Sequence, residues 1–320
     1  MRYLSRRLIH ATFLLIAISV LSFALIQLTP GDFFSSMRMN PRISAQTIEG
    51  IRSQYGLDRS LPVRYERWMR SVLRGQMGFS LAYNSPVAPL LLARARNTLL
   101  LSSVATLLAW ILALPLGILS AANRGKWIDR VCGLATTALL TIPDLVVFLF
   151  LLLIAARTGW LPTGGMGSPT MESSGLWGRS KDVALHLLLP SLSLAIVLLP
   201  ALVRHIRSAM VEVLKAPFIR AARGHGIARL RLLFRYALPA AANPLISLFG
   251  FCAGTILSAS LLVEVILSWP GLGPLMMEAI LTRDLFVVVG VVLVSSVFLV
   301  AGNLFADILL FAADPRIRGD

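Results

Sequence analysis

Long apolar runs separated by polar loops dominate the pattern along the chain. A helix needs about 20 mainly apolar residues to span a bilayer. Lipid offers the backbone no hydrogen-bond partner, so runs of this length must be helical. Six runs qualify, and the pattern therefore predicts an all-α membrane protein with six transmembrane helices. The runs are 8–28, 98–120, 131–156, 184–203, 245–267 and 285–313.

Lys and Arg are unevenly distributed among the loops, and this predicts the orientation of the chain. With the N-terminus inside, the inner segments carry 16 basic residues and the two short outer segments carry 4. The long outer segment 29–96 carries 10, but segments of this length cross largely regardless of charge. Both termini are therefore predicted to be cytoplasmic. The inner segments are 1–7, 121–130, 204–243 and 314–320, and the short outer ones are 157–183 and 268–284.

The large extracytoplasmic segment, 29–96, contains an amphipathic pattern. Pro62 suits the first turn of a helix and Gly75 suits its end. Between them, apolar residues recur at helical spacing, with arginines on the other side. We expect a helix that lies on the membrane or on the spans, that docks an external partner, or that does both. The apolar residues are Tyr65, Trp68, Met69, Val72 and Leu73.

Composition agrees with a membrane protein. Hydrophobic residues make up 57% and charged residues 14%, against about 45–50% and about 25% in soluble domains. This balance excludes a disordered chain and argues against a soluble enzyme. The net charge is +15, and the charged residues lie between the apolar runs. Contact with membrane lipid and the orientation of the chain therefore explain this charge better than nucleic-acid binding does. Cys132 and Cys252 lie within apolar runs, where we interpret them as packing residues.

Motifs for catalysis and nucleotide binding are missing from the sequence. It contains no G-x-x-x-x-G-K-[ST], no H-E-x-x-H and no G-x-S-x-G. The chain is therefore predicted to have no catalytic residue and to bind no cofactor or metal of its own. Any uphill transport would take its energy from a partner or from an ion gradient.

The cytoplasmic loop 204–243 carries the most informative pattern. Pro217 suits the start of a short helix, and Gly224 or Gly226 suits its end. Between them lies a small apolar face flanked by two arginines. A basic helix lying on anionic lipid and a docking helix for a partner both remain open from these residues alone. The face is predicted to comprise Phe218, Ala221 and Ala222, and the arginines are Arg220 and Arg223.

The same loop resembles the E-A-A-x-x-x-G loop of ATP-binding-cassette importer permeases, which L-P follows. Here it reads Arg220-Ala221-Ala222-x-x-x-Gly226 and then Leu238-Pro239, with Arg220 in place of the family's Glu. Six further segments resemble family motifs in the same order along the chain, which is identified as a B-type permease of dipeptide, oligopeptide and nickel importers. They are Leu28–Asp32, Tyr55–Tyr65, Leu73–Ser80, Asn97–Leu99, Ser268–Gly273 and Asp314–Arg318.

This resemblance implies a fold, an activity and a set of partners. The fold would be the transmembrane domain of a type I importer, formed by residues 1–320 as one domain in a bacterial or archaeal plasma (inner) membrane. Residues 217–226 would couple it to ATPases. The implied partners are a second homologous permease, two cytoplasmic ATP-binding subunits that hold ATP and Mg, and an extracytoplasmic binding protein. Di- or oligopeptides are the favoured substrates, and nickel chelates and glutathione-like molecules remain open.

Three residues in or beside the spans are candidates for a pathway or gate. Charges inside a bilayer are costly and usually face a cavity or a partner. Asp144 follows Pro143 in the third run, where a position near the inner interface is the alternative. Glu264 lies near the outer end of the fifth run, where the family also has Glu, and a buried pairing is the alternative. Trp269 belongs to the motif that follows.

Two rival classes remain. An ion-driven secondary transporter would carry coupling carboxylates near mid-membrane, often in inverted repeats. No clear internal repeat is visible, and neither Asp144 nor Glu264 is central. A membrane subunit without a transport role would have no reason to carry the loop 217–226.

Overall fold

The computed structural model of the chain describes residues 2–28, 34, 44–54, 58–168 and 175–313. Most of these residues are helical, and the strands form one short antiparallel hairpin. The elements are α1 (Arg2–Leu28), α2 (Ala45–Gln54), α3 (Leu61–Leu73), β1 (Phe79–Ser80), β2 (Ser85–Pro86), α4 (Val87–Ala122), α5 (Trp127–Thr141), α6 (Asp144–Thr158), α7 (Leu176–Leu214), α8 (Pro217–Gly224), α9 (Arg229–Arg231), a π-helical segment (Leu232–Ala237), α10 (Leu238–Ala240), α11 (Ala242–Ile266), α12 (Leu272–Thr282) and α13 (Leu285–Ala313).

Helix length and hydropathy indicate four to six candidate spans within the described ranges. Four helices, α1, α4, α7 and α13, are each long and apolar enough to cross a membrane. Two bent pairs pass the same test together: α5 with α6, and Arg229–Ala240 with the beginning of α11. The number of predicted runs, six, equals the upper limit, although the second bent pair overlaps the fifth run, 245–267, only at its beginning. Helices α4 and α7 extend beyond their apolar runs, because polar residues can continue a helix outside lipid.

The third apolar run, 131–156, is not the single helix that its length predicted. It is divided between α5 and α6, whose axes meet at 100°. Ile142 is extended at the break, with φ −87° and ψ 126°. Proline disfavours the helical conformation in the residue before it and has no N–H to donate. Pro143 therefore accounts for the break.

Two compact units make up the chain. One comprises Met1–Asn97 with Pro270–Val297, and the other comprises Thr98–Trp269 with Phe298–Asp320. We call them the first unit and the second unit.

In the first unit, the amphipathic helix α3 packs on α1. The ring of Phe23 lies 5.6 Å from that of Tyr65 and 5.8 Å from that of Trp68, centroid to centroid. Ser19 and Tyr65 share a hydrogen bond of 2.8 Å, and Trp68 donates one from Nε1 to the carbonyl oxygen of Met77. The helix and its apolar face are confirmed, and that face covers a span of its own chain. Leu73 is the exception, being 81% exposed.

In the second unit, small residues bring the helices close together. A Cβ added at Gly117 of α4 would lie 2.6 Å from Cγ2 of Ile206 in α7. A Cβ added at Gly250 of α11 would lie 2.7 Å from the Cβ of Ala306 in α13. Both distances are shorter than real side chains tolerate, so each glycine permits a contact that alanine would prevent. The main apolar core of this unit runs along α4, α7 and α11 and continues to α8.

Candidate functional site

The loop predicted to couple the chain to ATPases contains a short helix, α8. Pro217 is within its first two positions, where a missing N–H costs nothing. The helix closes with a Schellman motif, in which Ile227 donates its N–H to the carbonyl oxygen of Ala222 at 3.3 Å. This closure requires a left-handed residue, and Gly226 supplies it with φ +76°. The sequence therefore determines both ends of α8.

The two sides of α8 differ from the predicted faces in one respect. Ile219 is fully buried and Ala222 is 9% exposed, so both belong to the chain's own core. Phe218 is 49% exposed, and Ala221 lies exposed with it. The small apolar face therefore contains Phe218 and Ala221 but not Ala222. Arg220 and Arg223 are exposed beside it, as the pattern predicted.

The buried side of α8 rests on several helices of the second unit. Ile219 belongs to an apolar cluster with Ala121 of α4 and with Ile206 and Met210 of α7. Leu232 and Leu233 of the π-helical segment complete the contact. Helix α8 is thus attached to the spans rather than lying apart from them.

A buried carboxylate, Asp129, lies at the turn that joins α4 to α5. Arg207 of α7 donates to both of its oxygens, from Nε at 2.6 Å and from Nη2 at 2.8 Å. Ser120 Oγ and the Gly125 amide donate at 2.6 and 2.9 Å. Asp129 is 8% exposed, and four donors around one carboxylate satisfy its charge without water.

A second arginine reaches the same turn. Arg229 of α9 donates from Nη2 to the carbonyl oxygen of Ala122 at 2.7 Å and to Asn123 Oδ1 at 3.0 Å. The carbonyl of Ala122 belongs to the last turn of α4, where helix carbonyls lack partners and attract cations. The structure therefore joins α9 to the end of a long apolar helix.

The three candidate pathway residues lie in different settings. Asp144 is the first residue of α6 and is exposed, at a helix N-terminus where the partial positive charge stabilises a carboxylate. Glu264 and Trp269 are both fully buried. They lie close together, since the Trp269 amide donates to the carbonyl oxygen of Glu264 at 2.8 Å. In this structure only Asp144 presents its side chain at a surface, and the pathway role of all three stays a prediction.

Two motifs of the sequence meet in the first unit. Asn97 donates from Nδ2 to the carbonyl oxygen of Pro270 at 2.8 Å.

Nearby along the chain, Tyr83 donates a hydrogen bond to Glu278. Burial and then this hydrogen bond raise the pKa of Tyr83 to about 12, so its hydroxyl stays protonated at neutral pH. The motif residues Thr29–Asp32, Tyr55–Leu57 and Asp314–Arg318 lie outside the described residues.

Sequence reasoning missed the cluster around Asp129. Arg207 was counted among the basic residues of the loop 204–243, and Asp129 was not singled out. One signal was available: a single acid among three basic residues, at the start of an apolar run. Within the described ranges, no group of three His, Cys, Asp or Glu side chains is arranged to hold a metal ion.

Comparison with known proteins identifies the family. The family described as binding-protein-dependent transport system inner membrane component matches residues 113–319. The family that describes the N-terminal part of such membrane components matches residues 1–104. Together the two matches cover most of the chain and include α8.

Named relatives match along the full length. The oligopeptide transport system permease protein AppB of Bacillus subtilis (strain 168) is 36% identical over 318 residues. OppB, an oligopeptide transport system permease protein of Mycobacterium tuberculosis (strain ATCC 25618 / H37Rv), is 32% identical over 322 residues. DppB, a dipeptide transport system permease protein of Escherichia coli (strain K12), is 30% identical over 339 residues. Each match covers 99% of this chain and 99% of the relative.

A solved structure shares the fold. It is an inward-facing conformation of the MetNI methionine ABC transporter, with a TM-score of 0.57 and 17% sequence identity. The match covers 70% of this chain and 96% of the other. The fold, the two family matches and the full-length relatives agree, and this chain belongs to the family of binding-protein-dependent transport system inner membrane components.

Proposed function

We propose that this chain is one permease subunit of an ATP-driven, binding-protein-dependent importer of di- and oligopeptides. The relatives AppB, OppB and DppB span nearly its whole length and are named as permeases of oligopeptide or dipeptide transport systems. These names favour peptides over nickel chelates and glutathione-like molecules.

The observation that carries the proposal is the exposed face of α8. Phe218 is a half-exposed aromatic side chain, and Ala221 beside it lets a partner's backbone approach closely. Arg220 and Arg223 flank the pair and suit acidic groups on a partner. Large exposed aromatic residues commonly anchor protein interfaces. In the proposed complex, this face docks into a cytoplasmic ATP-binding subunit, which holds ATP and Mg.

The proposed assembly contains five chains. A second, homologous permease would pair with this one, and the pathway would form between them in a bacterial or archaeal plasma membrane. Two ATP-binding subunits would dock on the cytoplasmic side, where both termini would also lie. A binding protein would deliver peptide to the outer segments, including 29–96. ATP binding would act through α8 to open the pathway outward, and hydrolysis would reset it.

The test of the docking loop changes Gly226. An added Cβ there would meet no atom within 4 Å, so a substitution strains the backbone at φ +76° without a clash. That strain costs about 1–2 kcal/mol. We expect Gly226→Val to abolish uptake of radiolabelled short alanine peptides by cells, while membrane levels of the protein on immunoblots stay unchanged.

The matched control for this test is Gly159→Val. Gly159 ends α6, has φ +66° and is equally open, so it imposes the same kind of strain outside the loop. We expect this variant to keep its uptake. Unimpaired uptake in Gly226→Val would contradict the docking role of the loop, and equal losses in both variants would indicate a general effect of strain.

A pull-down tests the assembly. The tagged chain would be solubilised gently from its native host and its partners identified by mass spectrometry. A second permease with P-loop ATPases is the expected result, and a co-purified binding protein would point to the substrate. Recovery of the chain alone in several mild detergents would contradict the assembly and favour an ion-driven transporter.

A further inference from the structure

We propose that Arg207 and Arg229 clamp the α4–α5 turn to the two chain segments that flank α8, so that the turn moves together with α8. We call residues 120–129 the inner turn. The clamp rests on the proposed function in one respect, because the partner that moves α8 is taken to be the cytoplasmic ATP-binding subunit. The clamp itself explains how a movement of α8 reaches the spans.

The first half of the clamp is the contact between Arg207 and Asp129. Both oxygens of the carboxylate receive a guanidinium N–H, at 2.6 and 2.8 Å. Such two-point contacts fix orientation as well as distance, because the planar guanidinium matches the carboxylate. Arg207 lies on α7, in the last turns before Pro217 begins α8. The chain that leads into α8 is therefore held to the inner turn.

The inner turn is itself built around the same carboxylate. Ser120, from the end of α4, donates to Asp129 Oδ1, and the Gly125 amide donates to Oδ2. Gly125 has φ +77°, a conformation that allows its N–H to turn back toward Asp129. The end of α4 and the start of α5 are thereby joined into one hydrogen-bonded piece.

The second half of the clamp lies on the other side of α8. Arg229 follows α8 in the chain and donates to Ala122 and Asn123, both in the inner turn. Helix α8 is consequently flanked, before and after, by an arginine that binds the same ten-residue turn. A displacement of α8 pulls on both arginines.

Apolar side chains also connect α8 to the inner turn and to α7. Ile219 on the buried side of α8 shares a cluster with Ala121 of the inner turn and with Ile206 of α7. Ile206 also packs against Gly117, which lies one turn before Ala121 in α4. The contacts between α8, the inner turn and α7 form a continuous packed layer, which transmits displacement because such interiors are close to incompressible.

The consequence is a specific route for the movement. Helix α4 is one of the four long apolar helices, and α5 begins the bent pair. Through the clamp, a push on α8 reaches the inner ends of both helices. A clamp that merely stabilised the fold would affect protein level, whereas a clamp that transmits movement determines how much transport each ATP hydrolysed produces.

The test measures peptides transported per ATP hydrolysed. The wild-type complex would be reconstituted into liposomes with its ATPase subunits and binding protein, and short radiolabelled alanine peptides would be the probe. We expect Arg229→Ala, which removes the hydrogen bonds to Ala122 and Asn123, to lower this ratio roughly tenfold, which corresponds to about 1.4 kcal/mol. Arg229 is exposed, so the variant should assemble normally.

Two further variants separate transmission from a structural role. Arg229→Lys should restore most of the ratio, because an ammonium group can donate to both oxygens. Arg124→Ala removes an exposed positive charge from the same turn, but this side chain does not hold the turn to the segments that flank α8, so its ratio should equal that of the wild type. Asp129→Asn should lower the ratio if the complex assembles, and loss of assembly in that variant leaves the Arg229 series to decide.

The outcomes are distinct. An Arg229→Ala complex with the wild-type ratio would overturn the clamp, and so would a low ratio that Arg229→Lys fails to restore. A wild-type complex that hydrolyses ATP but transports no peptide would instead contradict the proposed function. In that case the stimulation of ATP hydrolysis by the binding protein replaces uptake as the signal, and the clamp predicts weaker stimulation in Arg229→Ala.

Discussion

Asn97 and Pro270 lie 173 positions apart in the sequence and are joined by a hydrogen bond of 2.8 Å from Asn97 Nδ2 to the Pro270 carbonyl oxygen. Both belong to the first unit, and each comes from a different family motif. Replacing Asn97 with Ala or Asp removes the donor and should lower the free energy of unfolding by about 1 kcal/mol. Thermal unfolding of the purified chain in detergent would measure the loss. Unchanged midpoints of thermal unfolding in both variants would show that the hydrogen bond contributes nothing to stability.

A second buried link in the first unit connects the hairpin to the last helix. Asp284 accepts hydrogen bonds from Ser80 Oγ at 2.7 Å and from the Ala82 amide at 3.1 Å. It also caps α13 through the Val287 amide at 3.4 Å. We expect Asp284→Ala to destabilise the chain by about 2–3 kcal/mol, because buried donors lose their acceptor.

The control for this prediction is Asp58→Ala, which removes an exposed carboxylate. It should leave the thermal midpoint unchanged. Ser80→Ala should cost less than Asp284→Ala, since it removes two hydrogen bonds, to Asp284 and from the Tyr83 amide, whereas Asp284→Ala removes three. A midpoint for Asp284→Ala equal to that of Asp58→Ala would contradict the structural role of this carboxylate.

Gly117 should tolerate no side chain. A Cβ there would lie 2.6 Å from Ile206 Cγ2, 2.7 Å from Ile206 Cβ and 3.2 Å from the Val203 carbonyl oxygen, so the two helices would have to separate. Gly117→Ala should therefore destabilise the second unit by about 1–3 kcal/mol, although alanine is the better helix former. Gly133→Ala is the matched control, because Gly133 is also helical and its added Cβ meets nothing within 4 Å. A stabilised Gly117→Ala protein would be the contrary result.

The hydrogen bond between Tyr83 and Glu278 predicts a dependence of stability on pH. Burial and this contact raise the pKa of Tyr83 from 10.0 to about 12 in the folded chain. The stabilisation is complete below pH 10 and is lost as the pH rises toward 12, since the folded state holds the proton more tightly. Tyr83→Phe should show a smaller fall in thermal midpoint between about pH 9 and about pH 11. Tyr236→Phe is the control, and equal falls in both variants would refute the assignment.

The sequence predicted the spans better than their breaks. Apolar length located the long helices, because burying such runs requires lipid. Proline alone did not reveal which helix would be divided: α4 continues through Pro115, and α7 continues through Pro190 and Pro200, whereas the third run breaks at Pro143. Whether a helix survives proline depends on the partners available to its freed carbonyls, and those are set by tertiary packing.

Helix α8 shows the same division between local and tertiary information. Pro217 indicated where it begins, and Gly224 or Gly226 where it ends, because the backbone preferences of proline and glycine are local; the structure has Gly226 as the left-handed residue. The position of Ala222 in the core could not be read from the loop, since it depends on α7 and the π-helical segment. The pair of Asp129 and Arg207 was hidden for the same reason, as 78 positions separate its members.

That separation sets an order of events during synthesis. Ser120, Gly125 and Asp129 leave the ribosome almost together, and their mutual hydrogen bonds need no later residue. Arg207 emerges 78 residues afterwards, which at cellular rates is on the order of ten seconds. The carboxylate of Asp129 is therefore made well before its countercharge, and only the later Arg207 can join this turn to the helix that leads to α8.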